Sequence, residues 1–316
     1  SLSNIVLPDS LTTLGENAFG NCEKLSNVTL SKNLKSIEAN TFYNCSSLTA
    51  IEIPEGVTSV GAGAFYDCTA LGSVTFQNSL ESIGDSAFYN TGIKEVSLPD
   101  SLTDIGTGVF SDCSDLRSVI LPSGLKRINN SMFLGCGRLN RIVIPDGVTE
   151  IGEAAFSGCG RLTEINLPAG VTTIETGAFN NTGVTEFKLP NGLKTIGDSA
   201  FSSGQYSTMI VPESVTDIGK YAFASNDNLK TVKLPDSITE IKANTFDDDD
   251  YIESIKLPKN LKKIGNNAFY YCQRIKTLEI PNSVTEIGEY AFSRCYSLEA
   301  IQLPKELTSV AYGTLL

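Results

Sequence analysis

The sequence predicts a repeat solenoid, mostly β-strand and turn, with a parallel sheet along one face and few or no long helices. Three observations carry this. From Pro99 the prolines recur at 122, 145, 168, 190, 212, 235, 258, 281 and 304, in steps of 22 or 23. All 12 prolines occupy one position of the resulting repeat. Thirteen phenylalanines, from Phe19 to Phe292, recur with the same period. A fixed period of this length marks a stack of small units, none of which can bury its apolar face alone.

One copy reads Leu139-Asn140-Arg141-Ile142-Val143-Ile144-Pro145 and continues through Val148, Ile151-Gly152, Ala155-Phe156 and Cys159. The consensus is L-x-x-I-x-L-P-x-x-L-x-x-I-G-x-x-A-F-x-x-C-x-x. The expected organisation is a single solenoid over residues 1–316, with fourteen copies, the last breaking off at Leu316.

The first stretch alternates apolar and polar residues at its fourth to sixth positions, which is the strand signal. Strands are expected near 4–7, 27–30, 50–53 and at the equivalent place in every copy. Proline follows at once, and it suits a strand end because it has no N–H to give the ladder. The second stretch, L/V-x-x-I-G, is too short for a stable helix and reads as a short strand or a 3₁₀ turn. The A-F pair then supplies the main core filler, and Phe156 should be buried within a column of rings. Copies beginning at Leu71, Leu162 and Val184 each lack one residue after the A-F pair. A deletion there marks a loop, since packed elements tolerate length changes poorly.

Composition narrows function. The net charge is −12 and there is no histidine. Acidic chains are repelled by nucleic acid and anionic lipid, so neither nucleic acid binding nor direct membrane insertion is expected. No segment approaches the roughly 18 apolar residues of a membrane span. Lacking histidine, the chain lacks the commonest general base and metal ligand. Motifs for serine hydrolases, phosphate loops and zinc proteases are missing as well. The expectation is a protein that is not an enzyme, with no catalytic residues, no metal and no cofactor.

Eight cysteines, at 22, 45, 68, 113, 136, 159, 272 and 295, all fall three residues after the phenylalanine. Copies without one carry Thr91, Thr182, Gly204, Asn226 or Asp249 there. Small polar replacements suit buried free thiols better than a disulfide framework. The run Asp247-Asp248-Asp249-Asp250 is the one dense charge cluster. Its spacing is not that of a calcium loop, so it reads as a solvated acidic loop.

Binding candidates lie at the outward positions of the first strand, the second, third and fifth of each copy. The fifth-position column contains two adjacent apolar residues, Ile120 and Val143, flanked by Arg117, Asn140 and Arg141. Further along, Lys188, Lys233 and Lys256 form a basic stripe, joined by Lys230 and Lys276. The alternative for both features is ordinary surface variation.

The repeat resembles the leucine-rich repeats of the BspA-like family, and Ile280-Pro281 through Val284, Ile287-Gly288, Ala291-Phe292 and Cys295 fits it at every anchor. The resemblance covers essentially all of residues 2–316. It departs from the commoner L-x-x-L-x-L-x-x-N-x-L pattern, whose asparagine ladder is missing. It implies a bacterial surface protein, extracellular or held at the cell surface. The expected role is adhesion to a protein or glycan partner on the strand face, or a structural spacer that displays other domains.

Overall fold

The computed structural model describes residues 2–316. They form two compact units. One runs to Val148 and takes in Ala155–Leu162, and the other comprises Thr149–Ala154 and Thr163–Leu316. Each unit is a parallel β-solenoid, with no helix among the described residues. Partner residues lie 23 apart, as Asn4 and Asn27 do, or 22 apart across a shortened copy, as Thr173 and Thr195 do.

Three columns run through every full turn. The first is the long strand, Asn4–Val6, Asn27–Thr29 and Ala50–Glu52 in the opening copies. In Ala50–Glu52 and in Thr231–Lys233 the middle residue is buried and its two neighbours are exposed, as strand alternation requires. Proline closes the strand and its carbonyl accepts from the amide three residues on, as in Leu11 N to Pro8 O at 2.9 Å. The second column is a two-residue strand, for example Ser36–Ile37, Ser59–Val60, Ser82–Ile83 and Asp104–Ile105, which ladder in that order. The glycine after it sits where copies nearly touch. A Cβ on Gly61 would lie 2.5 Å from the Ala39 nitrogen, and one on Gly84 would lie 2.5 Å from that of Ala62. The third column is the phenylalanine turn. Its amides donate to the next copy, as in Phe42 N to Ala64 O at 2.8 Å and Phe65 N to Ala87 O at 2.8 Å. Residues two before and two after the ring hold positive φ in most copies, Asn40 at 54° and Asn44 at 54° among them.

The long-strand column is less regular than the sequence predicts. In this column no long strand forms between Arg141–Ile142 and Thr208–Ile210, and only a lone parallel bridge joins Glu186 to Thr208. The ladder breaks after the first one-residue deletion, but also between Asn27–Thr29 and Ala50–Glu52 and between Ser254–Lys256 and Thr277–Glu279, where no residue is lost. Glu95–Ser97 pairs with Ser118–Ile120 but not with Ser73–Thr75. The deleted residue lies between the phenylalanine and the next long strand. The short strands precede the deletion in the chain and ladder without a break from Glu150–Ile151 to Asp217–Ile218.

The phenylalanines fill the core. Rings from Phe42 to Phe269 in this column are fully buried. Neighbours stack nearly parallel, Phe65 on Phe88 at 5.2 Å and Phe110 on Phe133 at 6.1 Å. Two such rings give offset contact and remove a large apolar area from water in each copy, about 2–3 kcal/mol per ring. Phe156 lies 5.5 Å from Phe133 with no exposure.

Beside the rings run the thiols, all eight free. Each buried Sγ donates to the phenylalanine carbonyl of the preceding copy, as Cys68 does to Phe42 at 3.1 Å and Cys159 to Phe133 at 3.2 Å. Burial pushes the Cys113 thiol up to about 11 and that of Cys159 up to about 12. Gly204 breaks the column, and the gap is filled from two residues away. The Tyr206 ring occupies the place of the missing side chain, 2.2 Å from where a Gly204 Cβ would stand. Its hydroxyl donates to Phe179 O at 3.1 Å, the bond a thiol would otherwise make.

Asp249 is a further exception, and it corrects the reading of residues 247–250 as wholly solvated. The side chain is fully buried. Its Oδ1 accepts the Asn226 amide at 2.8 Å, whereas Oδ2 has no hydrogen-bond partner. Burial holds this carboxyl well above the usual carboxylate range. The turn position demands a small polar group, and three neighbouring acids cannot move it outward.

Two outcomes follow from this packing. Phe156→Ala should cost roughly 3–5 kcal/mol in denaturant unfolding, the usual range for emptying a ring-sized core site. Burial makes the folded Asp249 hold its proton more tightly than the unfolded chain does. Below its unfolded pKa, near ~3.9, both states are protonated and nothing is lost. As pH rises past that point the unfolded chain releases the proton, so stability falls with pH. Asp249→Asn should therefore raise Tm more at pH 7 than at pH 4. An equal shift at both would mean that folding does not raise this carboxyl.

Candidate binding surface

The long strand turns its third and fifth residues outward because its fourth fills the core. Ser118 pairs with Arg141 and Val119 with Ile142 in the parallel ladder. The next residues on, Ile120 and Val143, are therefore neighbours on the outer face. They are 65% and 69% exposed. Val119 and Ile142 beneath them are buried. Strand residues on adjacent strands sit about 4.8 Å apart, so the two side chains form one apolar patch. With Val119, Leu121, Ser123, Ile144, Pro145 and Asp146 they line an open hollow of about 470 Å³.

Arg117, Asn140 and Arg141 surround this patch and are all exposed. Arg117 and Arg141 belong to no ion pair among the described residues. Two uncompensated guanidinium groups at the edge of an apolar patch contrast with the net acidity of the chain. The patch offers desolvation at its centre and directional donors at its rim.

The lysines lie in the second unit. Lys233 and Lys256 are direct register partners, both exposed. Like charges facing each other across a ladder are unfavourable, and neither is relieved by an ion pair, unlike Lys259, which meets Asp236 at 2.9 Å. Lys188 is also exposed but is set apart from them: Ile210, not Lys188, is the partner of Lys233. Ile210 is 56% exposed. It carries the same signal as Ile120, an apolar residue at an outward position, and the sequence reading did not single it out.

The acidic run presents no cation site. Asp247 Oδ2 accepts from Asn244 at 2.8 Å and Asp250 Oδ1 from Gln273 at 2.9 Å, with Asp249 buried between them. The carboxylates are thus spread over separate environments. No cluster of three His, Cys, Asp or Glu side chains suited to a metal occurs among the described residues.

Comparison with known proteins agrees with this architecture. The family described as "BspA type Leucine rich repeat region (6 copies)" matches residues 1–117, 81–207 and 194–315. No curated protein matches the chain in sequence. A leucine-rich repeat protein from Bacteroides ovatus, solved by crystallography, is 27% identical with a TM-score of 0.75, over 98% of this chain and 83% of its own. The pneumococcal vaccine antigen PcpA shares the fold at 23% identity and a TM-score of 0.61, over 91% of this chain and 74% of its own. A leucine-rich repeat protein from Eubacterium ventriosum does so at 20% identity and a TM-score of 0.57, over 99% and 88%. With the family match running from end to end of the chain, the protein belongs to the BspA-type leucine-rich repeat family.

Proposed function

We infer that this protein is a non-enzymatic binding module of a bacterial cell surface, adhesive in role and located outside the cell. It holds a protein or glycan partner against the long-strand face. The observation that carries the reading is the Ile120–Val143 patch. These two side chains leave the core, each follow a pair of register partners, line one hollow, and are rimmed by Arg117, Asn140 and Arg141. Folding gives no reason for apolar groups there, since other copies place Thr29, Ser97 or Asn166 at the same position. Apolar centres with arginine at the edge are the composition of interface hot spots. Lys188, Lys233 and Lys256 add a steering field for an acidic partner over about a Debye length, roughly 8 Å at physiological salt.

The second reading is a spacer that displays other domains and binds nothing. It is favoured by the opening copies, whose outward residues are mostly small and polar, such as Ser3, Asn4, Ser26, Asn27, Ser73 and Thr75.

The two readings part on a measurement. The whole chain is screened against immobilised extracellular matrix proteins and a glycan array, and affinities are taken for the partner found. Changing Ile120 and Val143 to Ser should weaken binding at least ten-fold at any salt concentration, about the loss of a small hot spot. Changing Lys188, Lys233 and Lys256 to Ser should slow association mainly at low salt. A screen that returns no partner would leave the spacer reading standing, and affinities equal to wild type in both variants would remove this face as the binding site.

A further inference from the structure

The turn just past the thiol position carries small or flexible polar residues in most copies: Ser46-Ser47, Thr69-Ala70, Gly137-Arg138. Late in the second unit it changes character. Tyr251 and Tyr296 occupy it two copies apart, with Gln273-Arg274 on the copy between. The fold requires neither ring, because the same turn closes elsewhere around serine or glycine.

These residues are already ordered by one another. The Arg274 guanidinium lies 4.0 Å from the centroid of the Tyr251 ring, a cation–π contact that fixes both. Gln273 Nε2 donates to Asp250 Oδ1 at 2.9 Å. Tyr296 meets Tyr271 at 6.1 Å and an interplanar angle of 73°, which holds it in place, yet it remains 68% exposed. Asp250, Tyr251, Gln273, Arg274, Tyr296 and Ser297 together line a hollow of about 290 Å³.

We propose that this hollow is a subsite for a neutral sugar, one hexose or N-acetylhexosamine ring of a longer glycan. The lining has no aliphatic side chain, so it does not suit the apolar anchor of a peptide, which needs a mainly hydrophobic pocket. Nor does it suit an anion: Arg274 is engaged on Tyr251, and the lining includes the Asp250 carboxylate. What it offers is an exposed aromatic ring for the C–H face of a sugar, with amide, carboxylate and hydroxyl groups for its hydroxyls. The volume is at the small end of ligand pockets, roughly 300–1,000 Å³, which suits one ring and not a whole oligosaccharide. The site uses the turn past the thiols and so stands apart from the strand-face patch around Ile120.

The test uses the full chain with cellohexaose, maltohexaose, mannohexaose and N-acetylchitohexaose, read by saturation-transfer NMR, with 3′-sialyllactose as an acidic comparison. At least one neutral probe should bind at millimolar concentration. Tyr296→Ala should weaken that binding at least ten-fold and Gln273→Ala several-fold. Tyr296→Phe should retain it, because the ring face and not the hydroxyl does the stacking. The Ile120→Ser, Val143→Ser double variant should bind the sugar as wild type does, which separates this site from the strand face. Circular dichroism melting of each variant should match wild type, Tyr296 and Gln273 being at the surface. No binding by any neutral probe, binding of the sialylated probe alone, or full binding by Tyr296→Ala would overturn the proposal.

Discussion

Everything in this molecule depends on one copy seating on the next with its rings and amides in register. The phenylalanine of each copy stacks on its neighbour while its amide donates to the neighbouring carbonyl, as with Phe19 and Phe42 at 5.3 Å and Phe19 N to Thr41 O at 2.8 Å. The two contacts serve different needs. Stacking removes apolar area from water. The hydrogen bond satisfies a buried backbone donor that would otherwise be costly to leave unpaired. Neither works without an adjacent copy, which is why stability here is a sum of neighbour terms and not the property of one core.

Much of this was legible because the constraint repeats. Proline, phenylalanine, the I-G pair and the thiol each mark a place where a copy can vary least, so the period, the short strands and the buried column could be read directly. Other features were not legible, for physical reasons. Positive φ falls two residues on either side of the ring, on Asn40 and Asn44, but also on Tyr221, Ala154 and Arg294. A residue that is merely tolerated there leaves no compositional mark. The long strands missing from the copies that begin at Leu162 and Val184 depend on the path between copies, not on the apolar pattern, which those copies keep. Asp249 and Tyr206 are compensations. A buried acid and a tyrosine that replaces a thiol's hydrogen bond are visible only once the column beside them is built.

For the candidate surface the balance is similar. The outward placement of Ile120 and Val143 followed from strand alternation, and the ladder puts them side by side. The lysines were grouped by column alone, and register separates Lys188 from Lys233 by placing Ile210 between them. The sugar subsite had no signature in the strand pattern because it lies in a turn where most copies carry residues with nothing to say. The scaffold thus divides its positions. Those that face the next copy are fixed by packing, whereas those that face outward are free to differ from copy to copy, and recognition can be written there at little cost to folding.

That division is tested most directly by native-state hydrogen exchange resolved to single amides. The account predicts that the phenylalanine-column amides, such as Phe42, Phe65 and Phe223, are among the last to exchange in their unit, since each is buried and bonded to the next copy. Exchange of these amides as fast as those of residues 163–167, where the long strand is missing, would contradict it, and would mean that something other than copy-on-copy seating holds the solenoid together.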